Sequence, residues 1–331
     1  MTNILLLLLG LAIILASAEL FTNGVEWLGK KLQLNEGSVG SILAAVGTAL
    51  PESIIPVIAV LTGTGQNAID IGTGAILGAP FVLSTLALAI AGVAGLLCKR
   101  NGCRRQIMHC NRVVMTRDLQ FFLGAFGLVI LTSFLPPSVK LFIPAVLLIL
   151  YVTYVIKTLK CSSDSEDDGE INPLFFSRNN SAPSLFMVLL QVAVGLAGIV
   201  YGAHLFVDVI EELAGLLGIS AFILAFVISP IATELPEKVN SLIWIRQGKD
   251  TLALGNITGA MVFQSTVIPA IGIALTPWKL TPLALSSALV SVAAAGFVLY
   301  CLKTTGQIKP STLAYNGVLY GIFLAALAFN F

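Results

Sequence analysis

The residues IATELPEKVNS at 231–241 set two carboxylates, a proline and a lysine inside a run that is otherwise apolar. A counterpart, GTALPES at 47–53, again places a carboxylate directly after a proline. A proline inside a helix cannot donate to the carbonyl four residues back, and its ring crowds that carbonyl. On this reading Pro51 opens the carbonyl of Gly47 and Pro236 that of Ala232. Beside each opened carbonyl stands a glutamate, Glu52 or Glu237. An ionised carboxylate at the centre of a membrane helix costs about 2.5–3.5 kcal/mol on insertion scales. Opened backbone at that depth is tolerated only where protein buries it or a polar cavity takes it. Two such breaks together make an oxygen-lined cation site. A hard divalent cation such as Ca2+ takes six to eight oxygens, with carboxylates supplying the neutralising charge. The candidate ligands are Glu52, Glu237, Thr48, Thr233, Asn256 and Gln264, with a metal ion expected on Glu52 and Glu237.

Glu234 and Lys238 are spaced i,i+4, so they share a face if the helix continues through the proline. Three roles stay open for the lysine. It can neutralise Glu234, leaving Glu52 and Glu237 for the substrate. Its ammonium, or its proton, can be the coupling charge, since a buried lysine either pairs or loses its proton. Or it can turn away and snorkel along its stem.

These residues need a membrane around them. The 331-residue chain is 57% hydrophobic and 11% charged, too apolar for a soluble domain to hide. At about 20 apolar residues per span, helices fall near 2–21, 38–62, 68–97, 118–134 and 138–158. A second set falls near 184–207, 219–245, 251–276, 280–302 and 312–330. The expected fold is an all-α polytopic membrane protein of about ten transmembrane helices. The first helix ends in a pattern that resembles a signal-peptide cleavage site, but Met1-Thr2-Asn3 carries no basic residue, so it reads as a retained span.

Charge placement orients the set. With the N-terminus outside, Lys30, Lys31, Lys99, Arg100, Arg104, Arg105, Arg112, Arg117, Lys157, Lys160, Arg178, Arg246, Lys249, Lys303 and Lys309 all fall inside, against Lys140 and Lys279 outside. That asymmetry is the positive-inside signature. Both termini are then outside and the linker 160–183 is cytoplasmic.

The chain also repeats itself. AELFTNGVEWLGKKLQLNEGSVGSILAAVGTALPE at 18–52 aligns without a gap on AHLFVDVIEELAGLLGISAFILAFVISPIATELPE at 203–237. GAILG at 74–78 then answers GNITG at 255–259. Five helices per copy is an odd number, so the copies insert with opposite topology, an arrangement that puts substrate sites near the midplane where the repeats meet. The expected domains are a five-helix repeat at 1–159, the linker at 160–183 and a second five-helix repeat at 184–331.

GTALPES, ATELPEK, GAHLFVDVIEEL and LALGNITGAMVFQ resemble the two α-repeats of the sodium/calcium exchanger (cation/calcium antiporter) superfamily, and the likeness spans nearly the whole chain. The resemblance implies ten helices, alternating access, and Ca2+ exchanged for Na+ or H+, with Glu52 and Glu237 as central ligands. The chain departs from the family pattern in several places. Ala49 and Glu234 stand where that pattern has serine. GAILGAP lacks the polar side chains expected of the first copy, and Leu83 and Gln264 stand where a polar or acidic residue is expected. The first copy has lost donors and the second has gained a carboxylate.

Other signals are weaker. Cys98, Cys103, His109 and Cys110 fit no zinc spacing. The acidic run Asp164 to Glu170 fails the EF-hand pattern and reads as solvated linker. His204 reads as a helix-end polar residue, and Asp70 as an acid in a first helical turn. With no G-x-x-x-x-G-K-[ST] loop, ion gradients supply the energy. An intramembrane hydrolase needs H-E-x-x-H, paired aspartates or a Ser/His couple, and none is visible, so no enzymatic activity is expected. A proton-coupled exchanger of another cation using Glu234 and Lys238, and a cation-binding protein that no longer transports, remain as rivals. The expected partners are inorganic cations and lipid; neither a cofactor nor nucleic acid is expected.

Overall fold

The computed structural model describes residues 2–31, 50–63, 65–100, 103–104, 106–161, 172–178 and 183–329. Helix α1 is Thr2–Lys31, α2 Leu50–Thr62 and α3 Gly65–Leu97. Helix α4 is Arg112–Thr132 and α5 Ile143–Cys161, the latter preceded by one helical turn at Pro137–Lys140. The second set is α6 Leu185–Leu217, α7 Ala221–Arg246, α8 Asp250–Leu275, α9 Pro282–Thr305 and α10 Pro310–Phe329. The described strands are a two-residue ribbon, Lys99–Arg100 against Cys103–Arg104. Eight of the described helices are long and apolar enough to span a membrane, and shorter apolar runs occupy Glu52–Thr62 and Ala221–Ile231. These fall on the ten expected spans, of which the second, 38–62, lies outside the described residues before Leu50.

Two helices outrun their expected ends. The sequence placed the first span at 2–21 and the sixth at 184–207, yet α1 runs for 30 residues and α6 for 33. At 1.5 Å per residue they are about 45 and 50 Å long, more than a hydrocarbon core of about 30 Å requires. Polar residues that end an apolar run need not end a helix when another segment takes up their hydrogen bonds.

The chain divides into two compact units, residues 1–72 with 155–224 and residues 73–154 with 225–331. In the first unit α1 and α6 approach through glycines, the small-residue contact favoured between membrane helices. A Cβ at Gly195 would lie 2.8 Å from the Phe21 backbone, and one at Gly202 would lie 2.8 Å from Ile14. The end of the interhelix linker is strapped across this pair. Asn23 and Trp27 both donate to the Asn172 carbonyl, at 3.1 and 2.9 Å. Phe175 N–H donates to Asn23 Oδ1, and Phe176 N–H to Gln191 Oε1. Gln191 Nε2 in turn donates to Leu20 O and to Asn23 Oδ1, both at 2.9 Å. Leu174 completes a buried cluster with Trp27 and Val188.

In α3, 83% of the most apolar stretch is buried, and in α8 67%, against 17–44% in the other long spans. These two helices carry GAILG and GNITG, so the repeated motifs occupy the two most enclosed of the eight long described spans. Helix α3 is interrupted by a π-turn at Leu83–Ala87. Within the second unit, α10 lies flush on α3 because Gly92 leaves room for the backbone of Pro310 and Ala314. Phe81, Phe226, Tyr320 and Phe323 interlock beside it, with centroids 4.8–5.8 Å apart.

Candidate cation site

Helix α2 is described from Leu50, so Glu52 sits in the first described turn, and it is buried. Thr48 and the backbone that Pro51 was expected to open lie outside the described residues, as does the Pro51 side chain. Glu52 belongs to the first unit.

The remaining described candidates belong to the second unit. Helix α7 carries prolines at 230 and 236 and is helical through both. The condition for Glu234 and Lys238 to share a face is therefore met by the backbone, while the side chains of Pro236, Glu237 and Lys238 lie outside the described residues. Thr233 is buried and donates to Ser229 O at 3.1 Å, a back-bond that leaves its oxygen lone pairs available. Glu234 is fully buried, and its Oε1 accepts from Gln264 Nε2 of α8 at 3.3 Å. Gln264 Oε1 is buried with no hydrogen-bond partner among the described residues. Asn256, half-buried, donates to Ser241 Oγ at 3.4 Å, a second polar tie between α8 and α7.

Sequence reasoning missed a further set. Continuing the alignment past GAILG and GNITG pairs Leu83-Ser84-Thr85 with Gln264-Ser265-Thr266. All four hydroxyl residues are fully buried. Their bonding repeats as well: Ser84 and Thr85 donate to Phe81 O, and Ser265 and Thr266 to Val262 O. The signal was present, since the register that aligns the glycines carries on without a gap. Pro230 was missed because only the prolines of T-x-L-P-E were paired.

Buried charge also appears on α4. Asp118 is almost fully buried, accepting from Arg117 at 2.9 Å and from Thr258 Oγ1 of α8 at 2.8 Å. The Arg117 guanidinium lies 5.3 Å from the Tyr154 ring, within cation–π range. Thr258 is two residues from Asn256, so this group fixes the helix that bears the GNITG motif.

The polar loop residues do other work. The backbone N–H of His109 donates to Asp250 Oδ2 at 2.8 Å. Burial pushes the Cys110 thiol up, disfavouring the thiolate a metal would need. Among the described residues no three His, Cys, Asp or Glu side chains gather as a metal site. His204 Nδ1 lies 3.5 Å from Thr62 Oγ1, and Asp70 accepts from Gln66 at 2.8 Å. The acidic run 164–170 lies outside the described residues.

A family model described as sodium/calcium exchanger protein matches residues 2–160 and 187–330, most of the chain. The chain belongs to that family. The sodium/calcium exchanger MaX1 of Methanosarcina acetivorans is 25% identical, covering 98% of this chain and 97% of its own. Inner membrane protein YrbG of Escherichia coli is 24% identical, covering 91% and 89%. Among solved structures, the H+/Ca2+ exchanger CAX shares the fold at a TM-score of 0.75 and 17% identity, covering 98% of this chain and 82% of that one. Membership in the sodium/calcium exchanger family makes the chain a transporter and not an enzyme. As an exchanger it is uneven: Glu234 and Gln264 form a polar pair in the second repeat, and the residues aligned with them in the first are Ala49 and Leu83.

Proposed function

We propose that this exchanger is a secondary antiporter that carries Ca2+ in exchange for Na+ or H+, by alternating access around a midplane site centred on Glu52 and Glu237. Thr48, Thr233, Asn256 and Gln264 contribute neutral oxygens, and Glu234 with Lys238 carries the coupling charge. The termini lie outside and the 160–183 linker lies in the cytoplasm, between repeats at 1–159 and 184–331.

The observation that carries the reading is the Gln264 carboxamide. Its nitrogen is held by Glu234, and its oxygen is buried with no hydrogen-bond partner among the described residues. Buried acceptors are nearly always partnered, and a cation is the partner that suits an oxygen beside a carboxylate in an exchanger.

Radiolabelled Ca2+ flux into proteoliposomes, driven by a Na+ gradient and separately by a pH gradient, tests this, with Glu237→Gln as control. Flux that the substitution abolishes supports the two-glutamate site, and the gradient that drives it names the counter-ion. Absence of flux under both gradients, in protein shown to be folded, refutes the calcium assignment. A second reading, a proton-coupled exchanger of another cation, draws support from the unbroken helix through Pro236, which sets Glu234 and Lys238 one turn apart. Proton efflux driven by a different cation, without Ca2+ flux, would select it.

A further inference from the structure

The π-turn in α3 has a dedicated partner. In a regular helix Leu88 N–H would bond to Ser84 O, but here it bonds to Leu83 O and Thr85 O instead. Asn316 of α10 takes up the bypassed carbonyl, with Nδ2 donating to Ser84 O at 2.9 Å and to Ala294 O of α9 at 3.3 Å. Asn316 is fully buried, and its Oδ1 has no hydrogen-bond partner among the described residues. A site chosen for packing alone would hold an apolar side chain. An amide kept there with its oxygen unmatched is kept for its two donors.

The turn sits at a telling place. It opens at Leu83, the residue aligned with Gln264, which holds Glu234 in the other repeat. A π-turn accommodates one extra residue, and such turns recur at functional sites. If the helix returned to regular α geometry, the segment before the turn would rotate by about 100° and shift by about 1.5 Å against the segment after it. That earlier segment includes Gly78, which is seated against Phe226 and Pro230 of α7. The seat cannot follow such a rotation.

We infer that Asn316 is a positioning residue for exchange: it caps the π-turn, fixes the register of α3, and so holds α7 at the distance the site requires. The inference rests on the antiporter reading, and its test separates the two. In full-length protein, Asn316→Leu keeps roughly the volume and removes both donors. Hydrogen exchange over residues 81–92 is expected to accelerate at least tenfold, with α4 unchanged. In proteoliposomes the KM for Ca2+ is expected to rise at least threefold. A merely structural role would lower the amount of folded protein, and hence the maximal rate, and leave KM alone. Unchanged exchange over 81–92, or an unchanged KM in active protein, overturns the inference. If the wild-type protein moves no Ca2+, the antiporter reading fails, and the hydrogen-exchange arm still decides whether Asn316 caps the turn. Should Asn316→Leu not fold, Asn316→Ser, whose hydroxyl is too short to reach both carbonyls, is read by the same criteria.

Discussion

Gly78 and Gly259 are the same glycine in the two copies of one motif, and alanine at each should act with opposite sign. Replacing a helical glycine by alanine gains about 0.5–1 kcal/mol of backbone entropy. At Gly259 nothing opposes that gain, since a Cβ would meet only the Tyr154 hydroxyl at an ordinary 3.5 Å. At Gly78 a Cβ would lie 2.6 Å from Pro230 Cγ and closer still to the carbonyl oxygen of Phe226. Neither obstacle is a flexible side-chain end: one is a ring, the other main chain. Overpacking of a filled interior costs about 1–3 kcal/mol, and the rigidity of both neighbours puts this case in the upper half. Gly78→Ala is therefore expected to lose about 1–2 kcal/mol net, and Gly259→Ala to gain up to about 1 kcal/mol. In a chain of this size each kcal/mol moves the midpoint by roughly 2 °C, so thermal unfolding in detergent should separate the two variants by roughly 4 °C. Equal midpoints, or the reverse order, would refute the claim that α3 is seated on α7 through this glycine.

Other substitutions probe the remaining contacts. Gln264→Leu leaves Glu234 buried without its amide donor, at a cost of about 1–3 kcal/mol; it should cut Ca2+ flux at least tenfold, whereas Glu234→Gln should retain Ca2+ binding and lose flux driven by pH, both read in proteoliposomes. Thr258→Val is nearly isosteric and removes a 2.8 Å donor from Asp118; unfolding in detergent should show a loss of about 1.5–3 kcal/mol, the value of a hydrogen bond to a charged group. Trp27→Phe keeps the ring and deletes the bond to Asn172 O; a loss of about 1 kcal/mol at the strap should appear as faster protease cleavage within 160–183, with transport unchanged.

The spans were legible because a membrane helix is set by composition over about 20 residues, and nothing distant can change that requirement. The far ends of α1 and α6 were not legible. Asn23 looks like a stop until Gln191 and Asn172, both more than 140 positions away, supply its partners. The carboxylate at 234 inside an apolar run was legible from residue types, but its bond to Gln264 was not, since spacing along the helix offers Lys238 as its partner and Gln264 lies 30 positions further on. The π-turn did not, because Leu83 to Ala87 is ordinary helical sequence and its cause, Asn316, lies 232 positions further on. Ser84-Thr85 and Ser265-Thr266 were readable, since they directly follow the aligned Leu83 and Gln264 in the same register. Of the proposed ligands, Thr48 and the side chain of Glu237 lie outside the described residues, so the two-glutamate centre rests on sequence.

The division of the chain has a consequence for how the protein is made. The first unit needs residues up to 224, yet its opening segment ends at 72, so 224 − 72 = 152 residues must be synthesised before it can close. At about 5–20 residues per second that interval is roughly 8–30 s. For most of it, until Asn172 and then Gln191 are made, the nascent α1 has Asn23 and Trp27 in place with neither to receive them. Neither repeat can be cut out as a self-sufficient half, because each unit is stitched from both. Insertion of this exchanger is a matter of timing, in which early helices wait for late partners.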